Sequence, residues 1–209
     1  STILLMHGSG LSHIVWSLHE QFYITNGYNV LSVDLPGHGD SENLAYVHSM
    51  EEMAEVVMSL MKRLFIRKAV ICGHSMGGYV AMAFAEKYPD NLKGLVLMNS
   101  NSRADSEERK INRGRAIQLV KQNPKSYIRN AIPLLFSEES RHRLKAEVNW
   151  ARDEGLRTSV QGVVAALEGM KLRPDREAIL EFAPYPILLI ASKKDSVLPF
   201  EMLQEQMEH

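Results

Sequence analysis

Five short apolar runs constrain the fold more than any other feature of this chain: Ile3–Met6, Val30–Val33, Ala69–Cys72, Leu95–Met98 and Ile187–Ile190. Each is about four residues long, rich in Val, Ile and Leu, and none alternates cleanly with polar residues. A strand with one wet face shows a period of two, whereas a strand buried on both faces reads as a continuous apolar run. The runs therefore predict a buried, mostly parallel sheet, and parallel neighbours need crossover helices between them.

The intervening segments supply those helices. One opens at Ser49, where Glu52 three residues later completes a capping box. Its apolar positions Met53, Val56, Val57, Leu60, Met61 and Leu64 are spaced for one helical face. Glu51 and Glu52 at its start and Lys62 and Arg63 at its end suit the helix dipole. A second helix follows Ser75 and stops before Pro89. After Met98 the strand rhythm is suspended. Residues 104–182 offer only helix starts, at Asp105 with Glu108, Asn123 before Pro124, Ser137 before Glu138, and Thr158. Pro133 is expected to kink or end the second of these. Strand rhythm resumes at Ile187. The reading is an α/β core over residues 1–103, an inserted all-helical cap or lid over 104–182, and the core continued over 183–209.

Charge divides along the same line. The net charge is −1. Residues 103–176 hold 16 Lys and Arg against 10 Asp and Glu, while the remainder holds 8 against 15. The basic segment has neither aromatic interleaving nor a nucleic-acid motif, so it reads as solvated helices, the alternative being a mild attraction for anionic substrates. No apolar run approaches the roughly 20 residues that cross a bilayer. Neither a membrane nor a nucleic acid is expected as a partner. Cys72, the single cysteine, fits a reducing compartment and a cytoplasmic location.

Chemistry is concentrated in the loops that follow the strands. Gly73-His74-Ser75-Met76-Gly77-Gly78 stands between the run Ala69–Cys72 and a helix. That is the strand–turn–helix setting in which G-x-S-x-G presents a serine nucleophile. His7-Gly8-Ser9-Gly10 follows Ile3–Met6, where a glycine-flanked turn can aim backbone N–H groups at a developing oxyanion. The N–H groups of Ser9 and Met76 are the expected donors. Asp34-Leu-Pro-Gly-His38-Gly-Asp-Ser41 follows Val30–Val33.

Together with Trp16, these three segments resemble the α/β-hydrolase superfamily, in its serine-nucleophile branch with a helical cap. The resemblance is strong over residues 1–100 and weak across the cap. It implies a mostly parallel central sheet of the α/β-hydrolase type. It also implies that Asp34 and His38 organise a loop and that no metal or cofactor is needed. The acid is then Asp195, just past Ile187–Ile190, because the order in this family is serine, acid, histidine. After Leu95–Met98 the chain offers Asn99 and Asn101 in place of a carboxylate, and Asp105 reads as a helix cap.

The histidine is the exception. The family places it after one further strand, yet only fourteen residues follow Asp195. His209 reads as a terminal residue, His74 is expected to point away, and His7, His13 and His38 belong to loops. The chain thus reads as trimmed at both ends, with its general base beyond residue 209 and little activity of its own. A serine nucleophile, rather than the aspartate of dehalogenase and epoxide-hydrolase relatives, implies ester hydrolysis of a small ester or acyl substrate through acyl-Ser75. The alternatives are C–C bond hydrolysis, elimination, peracid formation, or a non-catalytic binding protein on the same fold.

Overall fold

All five apolar runs are strands: β1 (Thr2–Met6), β2 (Asn29–Val33), β3 (Ala69–His74), β4 (Leu92–Met98) and β5 (Ile187–Ile190). They pair in parallel in the order β2-β1-β3-β4-β5. The structure is a computed structural model and describes residues 1–207. Register brings the carboxyl ends level: Met6 lies opposite Val33 and Gly73, His74 opposite Met98, and Met98 opposite Ile190. Every loop that follows a strand therefore leaves from one rim. The chain runs outward from β1 to β2 and then returns to the other side of β1. That reversal, between β1 and β3, is where open α/β sheets bind ligands.

One face of the sheet is covered by α2 (Met50–Arg63) and α3 (Met76–Lys87). The capping box at Ser49 and Glu52 is formed as expected. The buried stripe of α2 differs, being Met50, Met53, Ala54, Val57, Met58 and Met61, with Val56 and Leu64 exposed. Packing of α2 against α3 turns the buried arc toward Ala54 and Met58. The opposite face holds a smaller cluster of Ile3, Leu5, Cys72 and Trp16. Trp16 ends a 3-10 turn (His13–Trp16) that leads into α1 (Ser17–Thr25), a helix that buries none of its own residues. Burial on both faces holds for the central strands and fails for β5, an edge strand whose Leu188 and Ile190 are exposed.

Between β4 and β5 the described residues contain helices and no strand. These are α4 (Glu107–Gln122), α5 (Pro124–Ala131), α6 (Glu138–Arg143), α7 (Lys145–Gly155), α8 (Val160–Leu172) and α9 (Glu177–Phe182). Side-chain caps are made by Ser106, Asn123, Ser137 and Ser159. Two expected caps are thus displaced by one residue, from Asp105 and from Thr158. Pro133 lies in a 3-10 turn (Ile132–Leu135) that ends α5. The helices α7 and α9 begin without a side-chain cap and so left no signal. A last helix, α10 (Phe200–Met207), follows β5. No helix among the described residues is long and apolar enough to cross a membrane.

The inserted helices sit directly on core backbone. A Cβ on Gly162 would strike the carbonyl oxygen of Gly37, and one on Gly169 that of His48. Arg176, nearly buried, pairs with Glu51 of α2 and Glu86 of α3.

Candidate active site

Ser75 sits between β3 and α3 with φ 51° and ψ −115°, a conformation that costs a non-glycine residue about 1–3 kcal/mol. Close packing of the turn imposes it. A Cβ on Gly73 would collide with the backbone of Gly77, and one on Gly77 with the carbonyl oxygens of Met6 and His7. The turn therefore tolerates only glycine at positions 73 and 77, two residues to each side of the serine. The Ser75 carbonyl accepts from the Gly78 and Tyr79 amides and from Ser100 Oγ at 2.8 Å.

The loop after β1 lies against this turn. A Cβ on Gly8 would come 3.4 Å from Ser75 Cβ and 3.1 Å from His74 Nδ1. Ser9 lines the same cavity as Ser75. Met76 occupies the first turn of α3, where an amide has no partner within its own helix. Among the described residues neither the Ser9 nor the Met76 amide meets a backbone acceptor. The loop itself is held by His7, whose Nδ1 lies 2.7 Å from the Gly8 carbonyl and whose Nε2 accepts from the Leu35 amide at 3.0 Å. Burial, aided by the neighbouring His38, lowers the pKa of His7 to about 3, so the ring is neutral and serves as a fixed strut. Asp34 accepts from the amides of His13 and Asp40, which closes the loop after β2.

Asp195 follows β5. Its Oδ1 accepts from the amides of Val197 at 2.8 Å and Leu198 at 3.0 Å. Its Oδ2 accepts from Asn99 Nδ2 at 2.7 Å. Asn99 leaves β4 with φ 45°, and its amide bonds to the Ile190 carbonyl. Ser9, Ser75, Asn99 and Asp195 thus come from the ends of four adjacent strands.

Two cavities meet at Ser75. The smaller, about 230 Å³, is lined by Gly8, Ser9, Ser75 and by Arg109, Tyr127 and Val163 of the inserted helices. The larger, about 370 Å³, is lined by Ser75, Asn99, Asp195, His19, Trp16 and Trp150. His74 lines both, contrary to the expectation that it points away. The missing side chain at Gly8 leaves room for its ring. Burial lowers its pKa, and the charge of Asp195 opposes that shift only in part. No imidazole among the described residues is hydrogen-bonded to Ser75 or Asp195, and His209 lies outside them. Nor do the described residues bring together three or more His, Cys, Asp or Glu that could hold a metal ion.

The profile of the alpha/beta hydrolase family matches residues 3–209. The chain belongs to the alpha/beta hydrolase family. Within it, the chain is 33% identical to a thermophilic esterase from Thermogutta terrifontis, solved with malate bound, at a TM-score of 0.93 over 99% of this chain and 76% of that one. It is 34% identical over 110 residues to a 2-hydroxy-6-oxononadienedioate/2-hydroxy-6-oxononatrienedioate hydrolase of Paraburkholderia phymatum, covering 51% of this chain and 38% of that protein. It is also 28% identical to a dihydrolipoyllysine-residue acetyltransferase component of an acetoin cleaving system from Pseudomonas putida, over 94% of this chain and 52% of that protein. The chain spans about half the length, or less, of these two curated relatives.

For this alpha/beta hydrolase chain the sequence reading missed two features. Asn99 appeared only as the absence of a carboxylate, yet it holds Asp195. Asp105 is no helix cap. Its fully buried carboxylate is met by Arg109, Arg113 and Arg173. The excess of basic residues in 103–176 was the available signal for this cluster.

Proposed function

We propose that this chain carries the site of a serine hydrolase that cleaves small carboxylic esters through an acyl-Ser75 intermediate. Ser75 Oγ attacks the ester carbonyl as its proton passes to an imidazole. The tetrahedral adduct collapses to acyl-Ser75 as the alcohol leaves with that proton, and water then cleaves the acyl-serine bond to release the acid and restore Ser75. The Ser9 and Met76 amides hold the oxyanion, a contribution commonly worth about 2.7–4 kcal/mol per donor. Asp195, fixed by Asn99 and two amides, orients the imidazole that takes the serine proton. That imidazole is not among the described histidines. The helices of residues 104–182 act as a lid whose side chains shape the acyl and alcohol pockets.

The observation that carries this reading is Ser75 itself: a strained serine at a helix start, beside unengaged amides, where two cavities join. The likeness to the Paraburkholderia phymatum hydrolase over half the chain supports a second reading, hydrolysis of a C–C bond by the same residues. The test is p-nitrophenyl acetate. The wild-type protein should release p-nitrophenol measurably faster than Ser75→Ala, though slowly, because no described imidazole takes the serine proton. Equal release by both proteins would overturn the proposal.

A further inference from the structure

The smaller cavity is lined by an excess of positive charge that the reaction at Ser75 does not use. Asp105, with no exposed side-chain area, accepts from Arg113 through Nε and Nη2 and from Arg173 Nη1 at 2.8 Å, and pairs with Arg109 Nε at 3.3 Å. One carboxylate thus faces three guanidinium groups, which leaves two positive charges unbalanced. Arg173 is buried, its Nη1 donating to Asp105 and to the Met170 carbonyl, its guanidinium stacked 3.8 Å over the Tyr79 ring and its Nε without a partner among the described residues. Arg109 and Arg113 instead line the cavity that contains Ser9 and Ser75. The one partner of Arg113 Nη1 among the described residues is Met170 Sδ at 3.5 Å, a weak acceptor. Tyr79 and Tyr127 line the same cavity, and neither hydroxyl is hydrogen-bonded to another described residue.

A surplus of cations in a largely apolar pocket calls for an anion, because a charge-assisted bond there replaces lost hydration. Guanidinium edges flanked by phenolic donors match the planar, multi-acceptor geometry of a carboxylate. Balancing Asp105 alone would take one arginine, and three are present. We infer that Arg109 and Arg113, with Tyr79 and Tyr127, bind a carboxylate carried by the substrate in the cavity that also contains Ser75. The inference rests on Ser75 as the reacting group and narrows the substrate to half-esters of short dicarboxylic acids. A cavity of about 230 Å³ suits a small substrate.

The test is binding to the full chain carrying Ser75→Ala, titrated with monomethyl glutarate and with neutral dimethyl glutarate and followed by NMR. The monoanion should bind about tenfold more tightly or better, as expected for hydrogen bonds to a charged group. Arg109→Gln should bring the two affinities together, with circular dichroism confirming the fold. Tyr127→Phe, which removes only a hydroxyl, should narrow the gap and carries the test if Arg109→Gln does not fold. Equal binding of the two esters, binding of neither, or a gap unchanged in both variants would overturn the inference. Because Ser75→Ala cannot react, the outcomes separate. Selective binding with equal p-nitrophenol release by wild type and Ser75→Ala keeps the carboxylate site and removes the hydrolase reading. Ser75-dependent release without selectivity does the reverse.

Discussion

Replacing Asp105 with Asn is the most informative single perturbation of the fold. The side chain keeps its shape and one acceptor oxygen but loses the charge that faces three arginines. Asp105 is fully buried, and Arg173 exposes only 3% of its side chain, so neither regains water in the variant. Removing one partner of such a buried pair typically costs about 3–5 kcal/mol, because the other charge stays buried without compensation. In a domain of this size, that corresponds to a fall in Tm of about 6–20 °C. The pH dependence adds a second readout. Burial pushes the Asp105 carboxyl upward, but the Arg113 hydrogen bond and the charges of Arg113 and Arg173 outweigh it, and the pKa falls below its ordinary 3.8. A group with a depressed folded pKa stabilises above its unfolded pKa, and that contribution is lost as pH falls through the folded value. Urea titrations of wild type and Asp105→Asn should therefore differ by several kcal/mol at pH 7 and converge below pH 3.8. A difference under about 1 kcal/mol at pH 7, or one that persists unchanged into acid, would refute the argument.

Two glycines should respond in opposite directions to alanine. Gly169→Ala drives a Cβ into the His48 carbonyl and should cost about 1–3 kcal/mol, whereas Gly114→Ala in α4 meets nothing and should gain about 0.5–1 kcal/mol, both read by urea unfolding. The neutral His7 strut makes a further prediction. With its pKa lowered to about 3, its contribution is complete above pH 6.5 and declines as pH falls toward 3. His7→Gln should therefore be less stable at pH 7 and show a flatter stability profile between pH 6.5 and 3.

The sheet was legible because its central strands are buried on both faces, so Leu4, Ile71 and Leu95 sit in continuous apolar runs. The edge strand β5 carried the same signal, although Leu188 and Ile190 are exposed, since composition does not report what covers a strand. Cap residues found helix starts to within one position, and the uncapped α7 and α9 escaped notice. Ser75 and the loop after β1 were legible because their glycines, required where the two turns pack against each other, leave a fixed spacing in the sequence. Asn99 and the arginine cluster were not. Each depends on a partner far along the chain, Asp195 for Asn99 and Asp105 with the cavity for Arg113, and no local pattern encodes such a pairing. His74 was misread because the space for its ring is left by Gly8, on a different strand's loop.

The central claim is that Ser75 Oγ is the reactive nucleophile of this fold. Intact-protein mass spectrometry after incubation with a fluorophosphonate probe tests it directly, with peptide mapping of the adduct. The account predicts a single adduct on Ser75 in the wild type and none in Ser75→Ala. Equal labelling of both proteins, or an adduct mapped to another residue, would contradict it.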